Sequence, residues 1–142
     1  MRRRDPKVDR LSKVQLFSAC SRADLERIAA LTTEIEAPAG KVLMRAGERG
    51  HECFVIVSGS AKAELPGGES GTVSEGEVLG ELALLDQAPR SATVTAETDM
   101  SLVVLNSREF STLMDDHPNV RQNVLAAVAS RIRDAEAPQP RH

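Results

Sequence analysis

Arg90 and Glu81 stand nine positions apart, and together they offer the chemistry of a site for a phosphorylated sugar. Arg90 carries a planar, permanently charged guanidinium group that suits phosphate, and Ser91 adds a hydroxyl donor. Gly80 permits a tight backbone turn, and residues 82–85 can form one helical turn whose free N–H groups point at an anion. Glu81 would repel phosphate but can accept a hydrogen bond from a sugar hydroxyl. Phosphate together with a sugar hydroxyl predicts a nucleotide.

The segment around these residues resembles a known binding cassette. It reads Gly-Glu-Leu-Ala-Leu at residues 80–84 and Pro-Arg-Ser-Ala-Thr-Val at residues 89–94. This pattern is similar to the phosphate-binding cassette of cyclic nucleotide-binding domains, which occur in catabolite activator proteins, kinase regulatory subunits and cyclic nucleotide-gated channels. The nine-residue separation of Glu81 and Arg90 is the one usual in the kinase-type cassettes.

The resemblance implies a set of ligand-binding residues: Gly80, Glu81, Leu82, Ala83, Arg90 and Ser91. Arg90 would pair with the exocyclic phosphate oxygens, and the amides of Leu82 and Ala83 would complete that cradle with the Ser91 hydroxyl. Glu81 would accept a hydrogen bond from the ribose 2′-hydroxyl. Serine after the arginine occurs in cAMP-binding bacterial activators, whereas threonine there leans toward cGMP in the kinase branch. We therefore expect cAMP as the ligand, with cGMP as the alternative.

The composition describes one small domain with an aliphatic core. The chain has 142 residues, enough for one domain with a sizeable core and too few for two ordinary ones. Only three Phe and no Trp or Tyr are present, so aliphatic side chains must fill the core. No apolar run approaches the roughly 18 residues of a membrane span, and the basic start is not followed by the apolar segment of a secretory signal. Cys20 and Cys53 lie in apolar patterns, which favours reduced core thiols and a cytoplasmic protein.

The net charge of −3 is unevenly distributed along the chain. Residues 1–13 balance to +4 and residues 118–142 to +2, which leaves −9 on the middle of the chain. A nucleic-acid-binding domain normally has a basic face on its folded body, so the acidic middle disfavours a DNA-binding regulator. The cluster Arg2-Arg3-Arg4 is interpreted as a solvated tail, with a partner or nucleic-acid contact as the alternative.

No set of side chains in the sequence forms a convincing catalytic or metal-binding pattern. The chain has three His and no Ser/His/Asp arrangement. The run His51-Glu52-Cys53 does not match zinc spacing, and successive residues of a strand point to opposite faces. We therefore expect neither an enzyme nor a metal site.

Short strands between turns must position the binding segment. From Thr33 the hydrophobic period changes to two, and short apolar or alternating runs recur at intervals of about 8–12 residues. The predicted strands lie near residues 34–36, 41–44, 53–57, 61–65, 72–73, 78–79, 92–96 and 100–105. This spacing predicts an antiparallel sandwich or barrel of jelly-roll type. The resemblance implies an α+β fold, namely an antiparallel β-roll flanked by N- and C-terminal helices.

Helices are predicted on both sides of the strands. One begins after Pro6, and another follows Ser21, which is a candidate N-cap with Asp24 at the third helical position. Ser107 is the predicted N-cap of a helix that reaches Asp116, and His117-Pro118 should break that helix. A last helix is expected from Asn119 to Arg133, with an apolar stripe that includes Val120, Val124, Leu125, Val128 and Ile132.

These elements divide the chain into a basic segment at 1–13, a cyclic nucleotide-binding domain at 14–134 and a disordered tail at 135–142. In the family the roll usually controls an attached output domain, but no segment after Arg133 reads as one, so we expect a stand-alone sensor. It would act on a separate protein partner, or on a second copy of itself through the C-terminal helix, by a ligand-induced shift of the helices at 107–133. The alternatives are a nucleotide-independent interaction module on the same fold and a DNA-binding transcription regulator.

Overall fold

The computed structural model describes residues 6–80 and 89–126. In this part of the chain, helices lie on both sides of a set of short strands. The helices are α1 (Pro6–Ser12), α2 (Arg22–Leu31), α3 (Ser107–Asp116) and α4, which is helical over residues 118–126, with a 3-10 turn at Gln15–Phe17. The strands are β1 (Thr33–Ala37), β2 (Val42–Met44), β3 (Glu52–Ser58), β4 (Ser60–Glu64), β5 (Ser70–Ser74), β6 (Val78–Leu79), β7 (Thr93–Ala96) and β8 (Met100–Asn106).

The strands form two four-stranded sheets. Sheet A has the order β1-β8-β3-β6 and sheet B the order β2-β7-β4-β5, and every pairing is antiparallel. In the described part of the chain, each of the six strand pairings lies within one sheet, and the chain crosses between the two sheets to form a roll. The predicted antiparallel β-roll with flanking helices is therefore confirmed.

The central strands of sheet A, β3 and β8, are buried on both faces. The inner side of this sheet packs against sheet B in a core that includes Phe54, Ile56 and Leu102, each at most 7% exposed. Its outer side carries Cys53 and Val103, which belong to a second core that also contains buried side chains from all four helices. Five successive residues of β3 are consequently buried, whereas the burial of β4 follows no such continuous run because one face of sheet B is open.

The helical layer is fastened at its termini by side-chain caps. Ser21 accepts a hydrogen bond from the backbone N–H of Asp24, and the Asp24 carboxylate accepts one from the N–H of Ser21. The predicted N-cap is thus confirmed as a full capping box. At the other end of α2, the Lys7 ammonium donates to the carbonyl oxygens of Ala29 and Thr32, each at 2.6 Å.

The prediction of Ser107 as the N-cap of α3 is wrong. The cap is Asn106, whose side chain accepts the Glu109 N–H at 2.8 Å while Glu109 accepts the Asn106 N–H. Ser107 is instead the first helical residue. The helix ends at Asp116 as expected, with the buried His117 as its C-cap before Pro118.

Several predicted features lie outside the described residues. These are the Arg2-Arg3-Arg4 cluster, the site residues Glu81, Leu82 and Ala83, the last helix beyond residue 126 and the tail at 135–142. Within the described part of the last helix, Val120 and Val124 are buried, whereas Leu125 is 54% exposed.

Candidate functional site

The structure brings Arg90 and Gly80 together at one end of the roll. The Arg90 guanidinium group donates from Nη2 to the Glu52 carbonyl oxygen at 2.7 Å and from Nη1 to the Gly80 carbonyl oxygen at 3.3 Å. Both acceptors belong to the main chain, so the fork is seated on the backbone of two strand ends. Within residues 6–80 and 89–126, these two carbonyl oxygens are the acceptors of the guanidinium group, which has five N–H donors in all.

Sheet A places those two carbonyl oxygens side by side. Glu52 opens β3, Gly80 directly follows β6, and the two strands pair antiparallel through Phe54↔Leu79 and Val55↔Val78. Gly80 has a φ of +83°, in the left-handed region that favours glycine. The chain therefore turns sharply as it leaves β6 and enters the predicted cassette.

The backbone of Arg90 is held as firmly as its side chain. Its N–H donates to the Glu48 carbonyl oxygen at 2.8 Å, and its own carbonyl oxygen accepts the Gly47 N–H at 2.8 Å. Arg49 and Pro89 form an isolated antiparallel bridge between the same two segments. The loop between β2 and β3 is thus joined directly to the arginine segment and forms one wall of the site.

Burial changes the electrostatics of the site without removing its positive charge. Partial burial lowers the pKa of the Arg90 guanidinium, and the nearby Cys53 and Glu52 oppose that change. The ordinary pKa of arginine is so high that the group stays protonated at neutral pH. Burial also raises the pKa of the Cys53 thiol to about 12, which keeps this cysteine neutral and unreactive. Arg90 therefore supplies a fixed positive charge, as an anionic ligand requires.

Of the other predicted site residues, the structure describes Ser91 but not Glu81, Leu82 or Ala83. Ser91 is exposed next to Arg90, at the entry to β7. Two strand positions further along, the Thr93 hydroxyl oxygen accepts the Ala46 N–H at 3.0 Å, which holds β7 against the loop after β2. Glu81, Leu82 and Ala83 lie outside the described residues, so their roles stay predictions.

The sequence did not predict three contributors to this site. The carbonyl oxygens of Glu52 and Glu48 are main-chain groups, which every residue has, so residue type gives no indication of them. Gly50 has no functional group of its own, yet it lies directly against the Arg90 guanidinium group. The single indication in the sequence was the presence of two glycines, Gly47 and Gly50, so close together before a buried strand.

The remaining features of the described residues concern membrane-spanning helices, metal sites and disulfides. Among the helices of residues 6–80 and 89–126, none is long and apolar enough to cross a membrane. In the same residues, no three His, Cys, Asp or Glu side chains lie close enough together to hold a metal ion. Cys20 and Cys53 are both free thiols; Cys53 is fully buried and Cys20 is half-buried against the helical core.

Comparison with known proteins relates the sequence to regulatory modules. The chain is 37% identical over 113 residues to a cAMP-dependent protein kinase regulatory subunit of Mycosarcoma maydis, covering 73% of this chain and 22% of that protein. It is 35% identical over 112 residues to a cyclic nucleotide-gated potassium channel of Mesorhizobium japonicum, covering 79% of this chain and 31% of the channel. The chain therefore spans less than a third of the length of either relative.

The fold comparison agrees with the sequence comparison. The crystal structure of the Thermus thermophilus catabolite activator protein superposes with a TM-score of 0.74 at 27% identity, covering 85% of this chain and 59% of that one. The family model for the cyclic nucleotide-binding domain matches residues 34–117, from the first strand to the end of α3. The chain belongs to the cyclic nucleotide-binding domain family.

Proposed function

We propose that this domain is a cAMP sensor whose phosphate-binding cation is Arg90. The observation that carries the proposal is the position of the Arg90 guanidinium group, held by the carbonyl oxygens of Glu52 and Gly80 directly beside the cassette. A charged fork that is fixed before the ligand arrives loses little entropy on binding. The kinase-type spacing of the cassette and the cAMP-dependent kinase relatives support cAMP over cGMP.

In the proposed complex, each part of the ligand has its own partner. Arg90 pairs with the exocyclic phosphate oxygens, assisted by the amides of Leu82 and Ala83 and by the Ser91 hydroxyl. Glu81 accepts a hydrogen bond from the ribose 2′-hydroxyl. Gly80 has no side chain and turns the chain where the ribose must approach.

The proposed output runs through the helices. β8 continues into α3 without a linker, and the outer side of sheet A packs against the helical layer. A ligand can shift this layer only if it binds one arrangement more tightly than another. We therefore propose that binding changes the position of the helices from residue 107 onward, and that a protein partner or a second copy of the chain reads that change. The domain is regulatory in this proposal, not catalytic, and its reduced thiols fit the cytoplasm.

The first experiment measures thermal unfolding with cAMP, cGMP and 5′-AMP. A ligand at 100 times its dissociation constant adds about 2.7 kcal/mol of stability, so a true ligand gives a clear rise in melting temperature. We expect the largest rise with cAMP and none with 5′-AMP. Equal melting temperatures in all four samples, including the one without ligand, would exclude the sensor function.

Calorimetry on two variants tests the residue roles. Arg90→Ala should weaken cAMP binding by about 2–3 kcal/mol, the scale of losing charge-assisted hydrogen bonds. Glu81→Ala should weaken the binding of cAMP much more than the binding of its 2′-deoxy analogue. Only cAMP has the 2′-hydroxyl that donates a hydrogen bond to Glu81. An equal loss for both ligands would remove Glu81 from that role. Hydrogen exchange of α3 and α4 amides with and without cAMP tests the proposed output.

A further inference from the structure

Gly50 occupies a position where any side chain would collide with the site's arginine. A Cβ atom built on Gly50 would lie 2.6 Å from Nη2 of Arg90 and closer still to Cζ and Nε, well inside van der Waals contact. Real Cβ atoms do not approach other heavy atoms so closely. The guanidinium group therefore occupies the space that a side chain at position 50 would need.

The backbone of Gly50 gives no other reason for a glycine. Its φ lies outside the left-handed region, so the strain that an L-residue meets at positive φ does not arise there. Gly80 differs, because it combines a φ of +83° with its own close approach to Arg90 Nη1. A substitution at Gly50 therefore tests the space that Arg90 needs without the added effect of a left-handed backbone.

The loop that carries Gly50 cannot move aside easily. The hydrogen bonds from Arg90 N to Glu48 O and from Gly47 N to Arg90 O, both 2.8 Å, join this loop to the backbone of Arg90 itself. On its other side, Gly50 is two residues before Glu52, the first residue of β3, and sheet A holds that strand in place. An added Cβ would therefore displace the end of the flexible arginine side chain and leave the loop where it is.

We propose that Gly50 is a positioning residue for phosphate binding: its missing side chain opens the slot that seats the Arg90 guanidinium group on the carbonyl oxygens of Glu52 and Gly80. With the slot filled, the arginine keeps its charge but leaves both carbonyl oxygens. The cation is then no longer fixed toward the ligand. This inference rests on the proposed function for its binding consequence, but the seating of the arginine is a property of the ligand-free domain.

A double-mutant cycle tests the slot through cAMP binding. The proteins are wild type, Gly50→Ala, Arg90→Ala and the double variant, with Gly67→Ala as the matched control because a Cβ there meets nothing within 4 Å. Gly50→Ala should weaken cAMP binding about 10- to 100-fold, the loss expected when a charge-assisted contact is displaced. In the Arg90→Ala background, Gly50→Ala should cause no further loss of cAMP affinity, and Gly67→Ala should bind cAMP as wild type does. Wild-type affinity in Gly50→Ala, or an equal loss in both backgrounds, would overturn the proposal.

A ligand-free measurement separates this proposal from the proposed function. In nitrogen-15 spectra of the domain without nucleotide, the Arg90 side-chain N–H signals should be protected from solvent exchange, and Gly50→Ala should remove that protection while Gly67→Ala preserves it. If wild type binds no cyclic nucleotide, the sensor function fails, yet this spectrum still decides the slot. If Gly50→Ala does not fold, folding of the double variant supports the slot, and failure of both variants refutes it.

Discussion

Replacing Arg90 by lysine separates the charge of the site from its geometry. The guanidinium group uses two nitrogens for two acceptors on different strand ends, at 2.7 Å to Glu52 O and 3.3 Å to Gly80 O. A lysine ammonium group keeps the positive charge but presents its donors from a single atom. We expect it to retain the shorter contact and to lose the longer one, together with two-point pairing to phosphate.

The magnitudes follow from these contacts. In the ligand-free domain, the loss of the weaker hydrogen bond should cost about 1 kcal/mol, or about 3 °C in melting temperature for a domain of this size. In the complex, losing one charge-assisted bond to phosphate should weaken cAMP binding by about 1.5 kcal/mol, close to tenfold. Arg90→Lys should therefore bind between wild type and Arg90→Ala.

Calorimetry with cAMP at low and at raised salt provides the assay. Wild type and Arg90→Lys should lose affinity with salt in parallel because both keep the cation, whereas Arg90→Ala should depend on salt less. Arg49→Lys is the matched control, since Arg49 is exposed on the loop beside the site. An Arg90→Lys variant that binds as wild type would refute the importance of the planar fork, and an Arg90→Ala variant that binds as wild type would refute the importance of the charge.

Three further predictions concern the scaffold. Ser21→Ala should lower the free energy of unfolding by about 1 kcal/mol in urea because α2 loses its N-cap, while the exposed Ser18→Ala serves as control. Lys7→Met should lower it by about 1–2 kcal/mol, since two carbonyl oxygens at the end of α2 lose their charged donor. Cys53 should make stability fall by up to about 1.4 kcal/mol per pH unit above pH 9, because the unfolded chain releases its thiol proton there while the folded chain keeps it until a pKa of about 12. Urea unfolding of Cys53→Ala across the same pH range should show a shallower fall; an identical slope would contradict the assignment.

The strands could be predicted from the hydrophobic periodicity of the sequence. What packs against each face of a strand could not be predicted in this way. The apolar run of residues 53–57 predicted a buried strand, and β3 covers it. The sequence did not reveal that this strand has one side in the roll and the other under the helices. Periodicity reports how many faces are apolar, but the partner of each face depends on contacts between distant parts of the chain.

The N-cap of α3 could have been predicted correctly from the sequence. Asn106 and Ser107 are both good N-cap residues, and only the residue three positions later distinguishes them. That residue is Glu109 for Asn106 and Phe110 for Ser107, so the capping-box pattern selects Asn106. The observed reciprocal hydrogen bonds agree with that choice.

The cassette pattern predicts the charged member of the candidate site but not its main-chain members. It predicts Arg90 and Gly80 as ligand-binding residues; the structure places the two in contact, and their binding role stays a prediction. The carbonyl oxygen of Glu52 and the space above Gly50 depend on how β3 and the loop before it come to lie beside the cassette. Such features follow from tertiary packing, so no local pattern of residue types announces them.

The two-sided burial of β3 and β8 in sheet A has a consequence for any attempt to shorten this chain. A fragment that stopped after β8 would lose α3 and α4, and with them part of the cover over the outer face of β3 and β8, which includes Cys53, Val55 and Leu105. An exposed apolar surface of this kind would promote aggregation of the fragment. A graft of this roll onto another protein must therefore include the helices on both sides of the strands, because together they cover the outer apolar face of sheet A.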